Sequence, residues 1–203
     1  MAARMHRWFA VIALVLSGST AVASTGGNRS GGGNIIPHLA RLKMYVAEWR
    51  VMEHHFNARG EETSTVKGTE TTVWILGKRA IQRTYVSGND SPYFRAIGTL
   101  TWNGVEKKYH GVWFDNASTT GPTVAKGEWH EGDRTMIYTL DSLAEDGSTL
   151  RHKVVERFFD DDRRIATTYL IKGAELVKRL EVEYKRTIPC PGRRMRVLDE
   201  INP

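Results

Sequence analysis

From residue 48 to residue 187 the chain alternates apolar and polar positions with a period of two, broken every eight to fourteen residues by short polar or glycine-bearing connections. The pattern predicts ten strands, over 48–57, 63–76, 79–87, 93–102, 108–115, 123–130, 134–142, 149–160, 163–172 and 175–187. Gly60, Gly77, Gly88, Gly121, Gly132, Gly147 and Gly173 fall in the connections, as does Asn103-Gly104, a strong hairpin signal because a primed turn needs positive φ at its central residues. No crossover helix separates the strands. The expected fold is therefore all-β, a single antiparallel up-and-down β-barrel of about ten strands, since closure removes the exposed edges of such a meander. No fixed-period repeat supports a propeller or solenoid. Ahead of the strands, residues 37–46 read as a short N-terminal helix, with Pro37 in its first turn and Leu39, Leu42, Lys43 and Val46 at helical spacing. Such a helix suits the end of a barrel.

Alternation also assigns faces. If the hairpin after residue 115 bends near Thr119-Thr120, Trp113 lies opposite Gly127 and Gly111 opposite Trp129, each indole facing a residue without a side chain. Tyr109, Gly111, Trp113, Asp115, Ala125, Gly127 and Trp129 then share the inward face, and His110, Val112, Phe114, Lys126, Glu128 and His130 the outward one. In the last strand Val177, Arg179, Glu181, Glu183 and Lys185 form the charged face that must meet water. Leu176, Lys178, Leu180, Val182, Tyr184 and Arg186 are left for the core side.

Composition adds a compartment. Residues 1–23 read as a signal peptide: Arg4 and Arg7 open it, an apolar run extends from Trp8 to Leu16, and Ala21-Val22-Ala23 supplies a cleavage site. The apolar run is too short to span a bilayer. Cleavage lowers the net charge from +6 to +4, the charge of an ordinary solvated surface. Residues 24–36 are a flexible glycine-rich spacer, 37–188 the barrel domain and 189–203 a C-terminal tail carrying Cys190, the single cysteine. The expected location is periplasmic or extracellular. The mature protein is expected to have no membrane span and no nucleic-acid partner, its basic residues being interleaved with acids. Oligomeric state stays open.

Candidate chemistry lies on the inward faces. Trp49, Val51, Glu53 and His55 share one, Arg83 and Tyr85 another, and Asp115 sits beyond Trp113. A barrel of this size can hold a small ligand. The predicted lumen has Trp49, Trp74, Tyr85 and Trp113 as wall and Glu53, Arg83 and Asp115 as polar contacts or as an internal network. His54 and His55 point to opposite faces and cannot share an ion. His110 and His130, if opposed, lack the further ligands of a closed zinc site. A haem would need one inward histidine, for which His55 and His152 are the candidates. No nucleophile elbow, phosphate loop or His-Glu-x-x-His is present, and Asp160-Asp161-Asp162 reads as a solvated turn, not a calcium loop. The sequence thus carries no cofactor signature.

Gly98, Lys108-Tyr109, Trp113-x-Asp115, Ser118-Thr119, Gly127, Asp146-Gly147 and Arg157-Phe158 with Asp161-Asp162 together resemble a bacterial family known as the domain of unknown function fifteen-seventy-nine, over residues 39–187. The family's glycine-x-tryptophan opening appears here as Ala47-Glu48-Trp49, and Lys126 stands where the family has an acid. The resemblance implies a lipocalin-like, calycin-type barrel without an established activity. The expectation is an exported barrel that binds a small, largely apolar molecule in its lumen. A barrel enzyme using the internal carboxylates Glu53 and Asp115, and a structural or interaction module with a filled lumen, are the alternatives.

Overall fold

The computed structural model describes residues 37–187 except 90–92, 119 and 145; the predicted leader, spacer and tail, with Cys190, lie outside them. The strands are β1 Glu48–Phe56, β2 Glu62–Ile75, β3 Ala80–Ser87, β4 Phe94–Asn103, β5 Lys108–Asp115, β6 Thr123–His130, β7 Thr135–Leu143, β8 Thr149–Phe158, β9 Arg163–Lys172 and β10 Glu175–Arg186. Each pairs antiparallel with its sequence neighbours, and β1 also pairs with β10, so the sheet is a closed ten-stranded barrel. Closure leaves no strand edge open to another chain. No helix among the described residues is long and apolar enough to cross a membrane.

A plug closes one end. It begins as α1, Pro37–Ala40, and tightens into a 3₁₀ turn, Arg41–Tyr45. Side chains three apart eclipse in a 3₁₀ turn, which is why Leu39, Leu42 and Tyr45 are the buried set while Lys43 of the predicted helical stripe is exposed. The plug packs on Ile81, Leu100, Tyr109, Met136, Tyr138 and Phe158, the inward residues at this end of their strands. His38 stacks on Trp102 with ring centroids 3.8 Å apart, and the Tyr109 hydroxyl donates to the His38 carbonyl at 2.8 Å.

Expectations of register and of turn type are corrected. β5 and β6 pair Tyr109 with Gly127 and Trp113 with Thr123, not Trp113 with Gly127. The connection runs over residues 116–122, anchored by Asp115, whose Oδ1 accepts from the Ala117 and Ser118 amides at 3.0 and 2.7 Å. The large-and-small complementarity survives with other partners. A Cβ at Gly98 would stand 2.5 Å from the Trp113 ring, and one at Gly127 would stand 2.6 Å from Tyr138. The same shift sets His110 opposite Lys126, so it does not face His130.

The β4–β5 hairpin forms, but Gly104 is not at positive φ; Lys107 is. Asn103 Oδ1 accepts from the Val105 and Glu106 amides and so organises a four-residue loop instead of a primed two-residue turn. In β10 the pairing slips between Lys178 and Leu180. Beyond that slip Val177 pairs with Leu170 and Leu176 with Ile171, leaving Leu176 exposed where unbroken alternation put it on the core side.

Candidate functional site

The site is built from what the alternation forces inside. Glu70 on β2, Arg83 on β3, Glu156 on β8 and Arg164 on β9 all occupy inward positions, so four charges meet in the lumen. An isolated charge there would be prohibitively costly, and the four neutralise one another. Arg164 Nη2 donates to Glu70 Oε1 at 2.6 Å, and Arg164 Nη1 donates to Glu156 Oε1. Arg83 donates from Nε and Nη2 to Glu70 Oε2 at 3.0 and 2.7 Å. Thr72 adds a hydroxyl to Glu70 at 3.0 Å, and Tyr45, from the plug, donates to Glu156 Oε2 at 2.8 Å. Burial pushes the Glu70 carboxyl up, but the adjacent Arg83 and Arg164 charges outweigh it and hold the group below the usual carboxylate range.

Aromatic rings enclose the cations. The Arg164 guanidinium carbon lies 3.7 Å from the Tyr184 ring centroid and 4.8 Å from that of Trp49. Trp49 is itself fixed by donating Nε1–H to the Tyr45 carbonyl at 2.8 Å. Together these residues form a solid floor across the barrel, backed by the plug.

Beyond the floor burial is less complete. Among the inward residues nearer the far end, Trp113, Phe94, Leu140, His152, Leu170 and Leu180 are partly buried while Glu53, Tyr85, Ser87, Ala96 and Ser142 are buried; around the plug, Leu39, Leu42, Tyr45, Ile81, Leu100, Tyr109, Met136, Tyr138 and Phe158 are sealed. One wall carries Glu53, which accepts from Tyr85 at 2.6 Å and from His55 Nε2 at 2.8 Å. Burial raises the Glu53 pKa, but hydrogen bonds from His55, Ser87 and Tyr85 outweigh that effect and hold the carboxyl below its ordinary value. The same burial drives the Tyr85 phenol far up, so it stays a neutral donor. Another wall carries Ser142 and His152, with Oγ and Nε2 2.9 Å apart. Burial lowers the His152 pKa, and its Nδ1 has no partner among the described residues.

Arg83 joins floor and cup. Its described hydrogen bonds all leave from Nε and Nη2, its guanidinium carbon lies 5.8 Å from the Trp113 ring centroid, and 15% of its side chain stays accessible. Of the residues expected to line a site, Glu53, Arg83, Tyr85 and Trp113 surround this open half. Trp49 is level with the floor and sealed, and Trp74 packs against the plug cluster. Asp115 is at the rim, its carboxylate engaged with turn amides. The expected Glu53–Arg83–Asp115 network is not formed, each of the three having other partners.

The floor itself escaped sequence reasoning. Glu70, Glu156 and Arg164 were legible only as charged residues at inward parity, and Arg164 sits beside a run of aspartates that reads as a solvated turn.

A closed ten-stranded antiparallel barrel with an internal floor and one open half is a lipocalin-like barrel. The chain belongs to the family described as protein of unknown function (DUF1579), whose model matches residues 37–186. Among solved structures it is similar to Rv2717c from M. tuberculosis, with TM-score 0.54 and 15% identity over 76% of this chain and 100% of that one. That likeness shows the shared fold. The S-type phycobiliprotein lyase CPES from Guillardia theta aligns with TM-score 0.49 and 9% identity, over 72% of this chain and 90% of that one. No curated protein matches the chain.

Proposed function

We propose that the protein binds a small, largely apolar molecule in the open half of the barrel. Its apolar body lies against Trp113, Phe94, Leu140 and Leu170, and a hydrogen-bond acceptor at its polar end meets Arg83. Glu53 and Tyr85 form the polar wall beside it. The observation that carries this reading is the Arg83 guanidinium, held by the ion floor through Nε and Nη2 while 15% of the side chain stays accessible near the Trp113 indole. A fixed cation at the base of a partly apolar cup suits an amphiphile with a carboxylate or carbonyl end.

Titration of the tryptophan fluorescence with fatty acids, isoprenoid acids and aromatic acids tests it. A saturable change is expected with at least one member, and Trp113→Ala should weaken that binding by about tenfold, equivalent to about 1.4 kcal/mol. No saturable response across the panel would defeat the reading. Export by a cleavable leader belongs to the same proposal, and the exported protein should begin at Ser24. An intact Met1 terminus on protein recovered outside the cytoplasm would refute the cleavage.

A further inference from the structure

Beyond the floor, one buried polar atom lacks a partner. His152 occupies an inward position of β8, and its register partners are Leu140 on β7 and Leu170 on β9, both part of the wall proposed for the apolar body of the ligand. Ser142 Oγ lies 2.9 Å from His152 Nε2, whereas Nδ1 is buried and has no partner among the described residues. Burial lowers the His152 pKa, so the ring is neutral near pH 7 and offers one donor and one acceptor. Ser142 engages one of the two. The other is left over at Nδ1, where a matching hydrogen bond would be favourable. Topology fixes where that atom stands. β3 and β8 are five strands apart in either direction around the barrel, so Arg83 and His152 project from opposite walls. At the floor these walls already meet, with Arg83 Nη2 and Glu156 Oε1 3.9 Å apart. His152 is four residues from Glu156 along β8, towards the β7–β8 connection. That spacing puts it about 13 Å up the strand from the floor.

We propose that His152 Nδ1 is a second polar contact for the bound molecule and takes a hydroxyl, which makes the ligand a long-chain acid hydroxylated well away from its carboxylate. This rests on binding in the lumen with the acid end at Arg83. Two properties of the site select a hydroxyl. Such a group both donates and accepts, so it satisfies Nδ1 whichever proton arrangement Ser142 imposes on the ring. A second carboxylate only accepts, and between Leu140 and Leu170 it would bring a charge into an apolar wall at high cost. The separation from the floor sets the position along the chain. A hydroxyl next to the carboxylate would stay beside Arg83 and could not reach the opposite wall.

Tryptophan-fluorescence titration of the full chain with oleic acid and ricinoleic acid, which differ by one mid-chain hydroxyl, tests the site. Ricinoleic acid should bind roughly tenfold more tightly than oleic acid. α-Hydroxyoleic acid, with its hydroxyl beside the carboxylate, should show no such gain. In His152→Leu, oleic and ricinoleic acids should bind alike. A second readout needs no variant: in histidine-labelled wild type, ricinoleic acid should shift the His152 Nδ1 nitrogen resonance, and oleic acid should leave it in place. If neither acid gives saturable binding, binding in the lumen fails and the hydroxyl site with it. If both bind wild type with equal affinity, lumen binding stands and the hydroxyl site is overturned, Nδ1 then being served by water alone.

Discussion

The two halves of the barrel are made from the same ten strands and solve opposite problems. In the closed half the plug seals Ile81, Leu100, Tyr109, Met136, Tyr138 and Phe158, and the four floor charges are matched by opposite charges and hydroxyls. In the other half a set of inward side chains, Phe94, Trp113, Leu140, His152, Leu170 and Leu180, is partly exposed, and polar groups occur as small separate sets: Glu53 with His55 and Tyr85, and Ser142 with His152. A sealed, low-dielectric region tolerates charge only as a complete network, because any missing partner leaves an uncompensated ion. A region reached by water is free of that demand. The floor of Glu70, Arg83, Glu156 and Arg164 is the boundary between the two regimes.

Removing a floor cation attacks the contrast most directly. Arg164→Met leaves Glu70 and Glu156 sharing Arg83, and denaturant unfolding should show a loss of about 3–5 kcal/mol, the cost of breaking a buried ion network. A loss below about 1 kcal/mol would mean that water reaches the floor and that the halves are not physically distinct.

A pair of glycine substitutions sharpens it. At Gly127 an added Cβ meets Tyr138, which is locked by its 3.0 Å hydrogen bond to Tyr45, so Gly127→Ala should cost about 1–3 kcal/mol. At Gly98 the Cβ meets Trp113, whose ring borders open space and can tilt. Gly98→Ala should therefore cost less stability while shifting tryptophan emission and weakening ligand binding. Equal stability losses at the two positions would contradict the division.

Within the open half, Tyr85→Phe removes one of the donors to Glu53 and leaves His55 and Ser87. The expected loss is about 1 kcal/mol by thermal or chemical unfolding. The smallest effect is a pH dependence from His152. Its folded pKa lies below the unfolded reference of 6.5 because burial disfavours the imidazolium. Its contribution to stability is therefore complete above about pH 6.5 and is lost as pH falls through the folded value. Melting temperature should decline over that window in wild type, and His152→Gln should flatten the decline, as followed by circular dichroism.

Much of this architecture was legible in the chain. Period-two alternation with breaks at Gly60, Gly77, Gly121, Gly147 and Gly173 is local information, and all five of these glycines adopt the positive φ that marks a turn. The inward parity of Trp49, Glu53, Arg83, Tyr85 and Trp113 follows from the same period. Register was less accessible, because it depends on how many residues a turn consumes. The Asp115 side chain holds the turn after β5 through the Ala117 and Ser118 amides, and β6 pairs from Thr123 onward, which moves Gly127 from Trp113 to Tyr109.

The sequence by itself determined the ribbon, its closure and, away from the slip in β10, the face on which the strand residues fall, because these rest on a backbone geometry that repeats every second residue. Only the tertiary structure decided which inward charges became floor and which residues were left for the cup. Glu70 meets Arg164 across 94 positions of chain. Such pairings form between strands that face one another across a lumen, where neither alternation nor any local turn specifies the partner, and where the demand for neutrality is set by how completely the surrounding rings exclude water.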